Sequence, residues 1–129
     1  MICLDTNYLI LGLVANSRES RELTAWIRSG EQLVTPMLAW FEFLCGPVTA
    51  AQMQTMRAFL NELLPFGEDQ AVAAAGLFNA AGRKRSTRVD AMIAATAIVA
   101  GAALATNNQN DFRAFKEDGL RFANRPTGG

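Results

Sequence analysis

The chain has 129 residues, half of them hydrophobic, enough apolar material for one core and too little length for two ordinary domains. Twelve Lys and Arg balance twelve Asp and Glu, so no global positive field holds a polyanion and any nucleic-acid contact must be local. Histidine is absent, which excludes a Ser-His-Asp triad, a Cys-His pair, a histidine-based ribonuclease and a histidine-ligated zinc site. Hydrolysis would have to run on carboxylates, hydroxyls, amines or an oxygen-held metal.

In chain order, Ile2-Cys3-Leu4 is an unbroken apolar run that stops at Asp5, the pattern of a short buried strand. Helices are expected over Tyr8 to Ala15 and over Arg21 to Ser29, the latter with Leu23, Trp26 and Ile27 on its core face and Gly30 closing it. A strand over Gln32 to Thr35 follows, then a helix from Pro36 to about Leu44, ended by Gly46-Pro47. Ala51 to Asn61 reads as helix, Leu63 to Phe66 as strand, and Glu68 to Ala81 and Arg88 to Ala100 as alanine-rich helices. Ala102 to Thr106 is a fourth strand, Asp111 to Phe115 a short helix, and Leu120 to Ala123 a fifth strand before a flexible tail at 126–129. Short apolar strands separated by helices imply a mostly parallel, five-stranded sheet covered on both faces, in one domain spanning 1–125.

No apolar stretch reaches the roughly 18 residues of a membrane span, and no basic segment precedes the first apolar run, which fits a soluble cytoplasmic protein. Cys3 and Cys45 read as buried free thiols of a reducing compartment.

Most acids fall in polar surroundings at helix ends or turns, Glu19 and Glu22 among them. Four do not. Asp5 closes the first strand, and the carboxyl ends of parallel strands line the crevice where ligands bind; its structural alternative is a helix N-cap. Glu42 is flanked by Trp40, Phe41, Phe43 and Leu44, so a helix there has little polar face for a lone carboxylate, and either a cation pairs with it or it joins a polar site. Asp90 opens the helix to Ala100, where Thr87-Arg88-Val89-Asp90 also has capping-box spacing. Asp111 follows the fourth strand and could alternatively cap the short helix after it. Brought together, four anions repel unless a cation sits among them, and hard oxygen donors favour magnesium or manganese, ions that commonly serve phosphoryl chemistry.

The ordered set Leu4-Asp5-Thr6-Asn7, then Glu42 with Gly46, then Asp90-Ala91-Met92-Ile93-Ala94-Ala95-Thr96-Ala97 with Gly101, and finally Leu104-Ala105-Thr106-Asn107-Asn108-Gln109-Asn110-Asp111-Phe112 spans nearly the whole chain. In it the sequence resembles the VapC-type toxins of the PIN-domain ribonucleases. The resemblance implies a three-layer α/β/α fold, with the family's acidic positions on Asp5, Glu42, Asp90 and Asp111. Thr6 and Asn7 match its first motif, and Thr106 and Asn108 its last. It further implies RNA cleavage with magnesium or manganese, a homodimer, and a cognate antitoxin whose C-terminal segment covers the acidic pocket. The stretch from Gly82 to Arg88 is more basic than the family pattern demands, and the tail after Arg125 matches nothing in it.

The expected mechanism has Asp5, Asp90 and Asp111 holding the ions while Glu42 orients or deprotonates the attacking water. Thr6, Asn7, Thr106 and Asn108 would steady the carboxylates, and Arg83, Lys84, Arg85 and Arg88 would carry RNA phosphates. Trp26 is expected in the core, and some of Trp40, Phe41 and Phe43 at an interface with a partner. Two rivals use the same acids: a non-enzymatic module docking RNA or an arginine-bearing protein, and a receiver-like or phosphatase domain phosphorylated on Asp5. The second lacks the Asp two positions later that is common in such phosphatases, having Asn7 there.

Overall fold

The computed structural model describes residues 1–126, so the expected tail lies outside the described residues except for Pro126. Four strands, β1 (Ile2–Leu4), β2 (Leu33–Pro36), β3 (Glu62–Leu64) and β4 (Ala103–Ala105), form one sheet in the order β3-β2-β1-β4, every pair parallel. Among the described residues seven helices connect and flank them: α1 (Thr6–Leu11), α2 (Arg18–Arg28), α3 (Met37–Cys45), α4 (Ala50–Phe59), α5 (Glu68–Ala80), α6 (Arg88–Ala100) and α7 (Gln109–Phe112). A 3-10 turn at Arg85–Thr87 leads into α6, and another at Arg113–Asp118 follows α7.

Strand periodicity sorts the apolar residues into two cores. Cys3, Val34, Leu64 and Leu104 face one layer, where Ala74 and Leu77 of α5, five buried apolar residues of α6, and Phe112 and Phe115 pack. Ile2, Leu4, Leu33 and Ala105 face the other, against Tyr8 and Leu9 of α1, Leu23 and Trp26 of α2, Trp40 and Phe43 of α3, and Met56 of α4. This is the three-layer α/β/α arrangement. The alanines of α6 let it lie close to α5 and to the sheet, and Gly101, at φ 70°, ends it in a left-handed turn that favours glycine.

Local chemistry moves several boundaries. Helix α1 starts at Thr6, earlier than its apolar pattern suggests, because the Asp5 side chain accepts from the Thr6 N–H. It stops at Gly12, where an added Cβ would lie 2.5 Å from Leu23 Cδ1 and 2.6 Å from the Tyr8 carbonyl. Gly12→Ala is therefore expected to cost about 1–3 kcal/mol by overpacking, read as a lower urea midpoint with an unchanged slope. Ser17 caps α2, and a Thr49–Gln52 capping box starts α4.

Three expectations need correction. The fifth strand is reduced to a single parallel bridge between Leu104 and Phe122, because the second 3-10 turn and Gly119 occupy the preceding chain and only Arg121 O and Ala123 N reach Leu104. Ile27 is exposed, since α2 turns Glu19, Glu22, Leu23 and Trp26 inward instead. Cys3 is buried but Cys45 is exposed, at the end of α3. Among the described residues no helix is long and apolar enough to cross a membrane.

Candidate active site

The sheet order places β2 and β3 on one side of β1 and β4 on the other. The connections leaving β1 and β4 thus diverge, and the crevice between their carboxyl ends is the position where open α/β sheets bind ligands. Asp5 stands there, 6% exposed. One of its oxygens, Oδ1, accepts from the Thr6 N–H at 2.8 Å, and Oδ2 accepts from the Thr106 hydroxyl at the end of β4, also at 2.8 Å. Capping and site placement thus coexist in this one carboxylate, an oxygen to each. The Asn108 N–H donates to Thr106 Oγ1 at 3.0 Å, fixing the hydroxyl that holds Asp5.

Glu42 comes from α3. Its carboxylate is exposed, contrary to the burial its aromatic neighbours suggest, because Trp40 and Phe43 turn inward while Phe41, Glu42 and Leu44 face out. No cation pairs with it among the described residues; the Thr6 hydroxyl donates to its Oε1 at 3.3 Å. Asp90 lies half-buried in the first turn of α6 and does not serve a capping box, since the Thr87 hydroxyl donates back to the Lys84 carbonyl instead. Asp111 is exposed inside α7, whose N-cap position is taken by Asn108.

Electrostatics tie the four together. Burial, then the charges of Asp111, Asp5 and Glu42, push the Asp90 carboxyl up to about 6. Burial also raises Asp5, against the pull of its bonds from Thr106 and Thr6, and Asp111 adds to the rise. Asp90 and Asp5 are thus costlier to ionise, through burial first and through neighbouring carboxylates second. Among the described residues no three His, Cys, Asp or Glu side chains stand close enough to grip an ion directly.

The remaining expected positions divide. Asn7 lies in the first turn of α1 with no side-chain hydrogen bond among the described residues. Arg83, Lys84, Arg85 and Arg88 are exposed on the loop and 3-10 turn entering α6, with Arg88 two residues before Asp90 and bordering an apolar hollow with Phe66, Phe78 and Met92.

Glu19 and Glu22 were read as ordinary surface acids, yet each is 7% exposed. Arg18 spans them, its Nη2 2.9 Å from Glu19 Oε2 and its Nε 3.3 Å from Glu22 Oε1, although that last oxygen receives no well-aligned hydrogen bond. Arg18 Nη2 also donates to Asn107 Oδ1, and the Asn107 amide donates to Glu19 at 3.2 Å. Burial works to raise Glu19, but its own N–H, Arg18 and Asn107 outweigh that and hold it low. Tyr8 donates to Glu22 at 3.2 Å, and burial followed by the Glu22 charge pushes its phenol up to about 12. The signal was present in the spacing: residues 19, 22, 23 and 26 share a helical face, so the acids flank two core residues.

The sequence matches the model of the PIN domain over residues 2–118. Among solved structures, a toxin-antitoxin complex from Klebsiella pneumoniae is similar at 27% identity and a TM-score of 0.69, covering 87% of this chain and 90% of that one. FitAcB from Neisseria gonorrhoeae is similar at 24% identity and TM-score 0.69, with 95% and 97% of the two chains covered. VapBC-1 from nontypeable Haemophilus influenzae, at 20% identity and TM-score 0.69 over 96% and 98%, shares the fold. No curated protein matches the sequence. With its family match running from the first strand through the turn that follows α7, and with that fold built around the crevice holding Asp5, the chain belongs to the PIN domain family.

Proposed function

We propose that this protein is a divalent-metal-dependent endoribonuclease and the toxin of a toxin-antitoxin pair. The observation that carries the reading is the meeting of Asp5, at the end of β1, with Thr106, at the end of β4, beside Glu42, Asp90 and Asp111. The similar toxin-antitoxin complex from Klebsiella pneumoniae supports the partner, and membership of the PIN domain family supports a nuclease over a passive docking module or a phosphorylated receiver.

The donor set fits a hard cation: it is all oxygen, and neighbouring carboxylates add to the cost of ionising Asp5 and Asp90. Carboxylates that repel stand apart, and magnesium keeps part of its water shell, so contact partly through water suits the spacing. Asp5, Asp90 and Asp111 would hold magnesium or manganese, which when bound supplies charge stabilisation at the phosphate and a more acidic water. Glu42, exposed and accepting from the Thr6 hydroxyl, would orient the attacking water or take its proton. Thr106 and the Asn108 N–H keep Asp5 facing the crevice. The basic turn before α6 supplies phosphate contacts, and Phe41, 64% exposed next to Glu42, belongs to the surface covered by an antitoxin or a second copy of the chain.

Purified protein is expected to cut single-stranded RNA with magnesium or manganese and not with EDTA, leaving 5′-phosphate and 3′-hydroxyl ends because an activated water attacks. Cyclic 2′,3′-phosphate ends, or cleavage indifferent to chelation, would overturn the reading.

A further inference from the structure

The acidic crevice does not end at Asp111. A cavity of about 570 Å³ adjoins it, lined by Arg18, Thr106, Asn107, Gln109, Asn110 and Arg125 along with Asp111 and Asn108. That size lies within the roughly 300–1,000 Å³ of ordinary small-ligand pockets. It shares Thr106 and Asp111 with the carboxylate site, so whatever fills it is a neighbour of the reacting phosphate.

The wall carries little net positive charge for a phosphate. Arg18 stands between two buried glutamates, and Asp111 offsets Arg125, the other cation of the lining. What Arg18 offers is a fixed plane. Its Nε and Nη2 edges are engaged by Glu22, Glu19 and Asn107, which locks the guanidinium in place, while the side chain keeps 43% exposure. A guanidinium held along its Nε and Nη2 and left part-exposed can stack against an unpaired base. In the same wall, Gln109 and Asn110 are exposed and their amides make no hydrogen bond among the described residues. Each carries both donors and an acceptor, the groups that read a base edge.

We propose that this cavity takes one unpaired nucleobase flanking the cleaved phosphate, stacked on Arg18 and read along its edge by Gln109 and Asn110, and so sets the RNA sequence preference. The inference rests on the ribonuclease reading for its ligand, and a binding assay that needs no turnover separates the two. The full-length Asp90→Asn protein would be titrated with fluorescent single-stranded hexanucleotides of A, C, G or U. A fifth probe would be an abasic version of the tightest binder, with the same phosphates. Stacking and edge contacts together should give about tenfold preference for the best base over the abasic probe. The double variant Gln109→Ala/Asn110→Ala should level the four bases to within about twofold, leaving the abasic probe unchanged. Arg18→Lys, which retains the charge between Glu19 and Glu22 but not the plane, should weaken every base-bearing probe and spare the abasic one. Abasic and base-bearing probes binding alike, base preference surviving both changes, or no hexanucleotide binding would each overturn the proposal. Wild-type protein that binds selectively yet never cuts RNA would instead sink the nuclease reading.

Discussion

Asp90→Asn is expected to abolish metal-dependent RNA cleavage, by about a thousandfold or more, while raising the melting temperature of the metal-free protein at pH 7. A residue present only to cap a helix would give the opposite stability result. The folded pKa, about 6, lies above the unfolded value near 3.8, so between these the folded state binds more protons than the unfolded one. Stability contributed by protonated Asp90 is complete below about pH 4, declines as pH rises, and is gone above about 6. The variant should therefore match wild type at pH 4 and exceed it at pH 7. Two pKa units correspond to about 3 kcal/mol at most; screening at a half-exposed carboxyl reduces that to about 1 kcal/mol, a shift of roughly 3–5 °C. Saturating magnesium should reverse the order, because the wild type gains a bound ion and the variant loses a ligand. A calorimetric pH series with and without magnesium reads all of this directly.

Thr106→Val should be nearly as damaging, by a different route. Valine matches threonine in shape but removes the donor to Asp5 Oδ2 and the acceptor for the Asn108 N–H. A buried carboxylate oxygen loses its partner, at about 1–3 kcal/mol of stability. Freed to rotate, Asp5 should hold the ion less well, with cleavage falling about 10–100-fold. Thr106→Ser restores the hydroxyl and should recover most of both losses. If Thr106→Val cuts RNA at the wild-type rate, the hydroxyl is only a turn-former. Titrating magnesium against single-turnover cleavage distinguishes weaker ion binding from slower chemistry.

The parts of this architecture legible in the sequence are those where one residue type has one plausible place. An apolar run ending in Asp5, and Thr106 closing another, located the two strand ends of the crevice. Helix α6 was readable to the residue, bounded by the basic turn and Gly101. Helix α3 was less so: with aromatic residues all round, its pattern does not say that Trp40 and Phe43 face in while Phe41, Glu42 and Cys45 face out. That choice is made by the sheet beneath it. Glu19 and Glu22 mislead because charge suggests solvent; Arg18 reaching both, with Tyr8 on Glu22 and Asn107 on Glu19, makes their burial tolerable, and the Arg18–Asn107 contact spans 89 positions. Beyond β4 the single bridge at Phe122 depends on two backbone bonds to Leu104, which no side-chain pattern encodes.

The hydrogen bond from Thr106 to Asp5 joins residues 101 positions apart, and β1 acquires its β4 neighbour only across the same interval. During synthesis the first three strands and four helices emerge well before Asp90, Thr106 or Asp111 exist. Non-local parallel pairing is slow in any case, because loop closure must precede the contacts that reward it. A nascent chain therefore carries Asp5 and Glu42 without the rest of the crevice, which closes only once the last quarter of the described chain has been made and β4 has paired with β1.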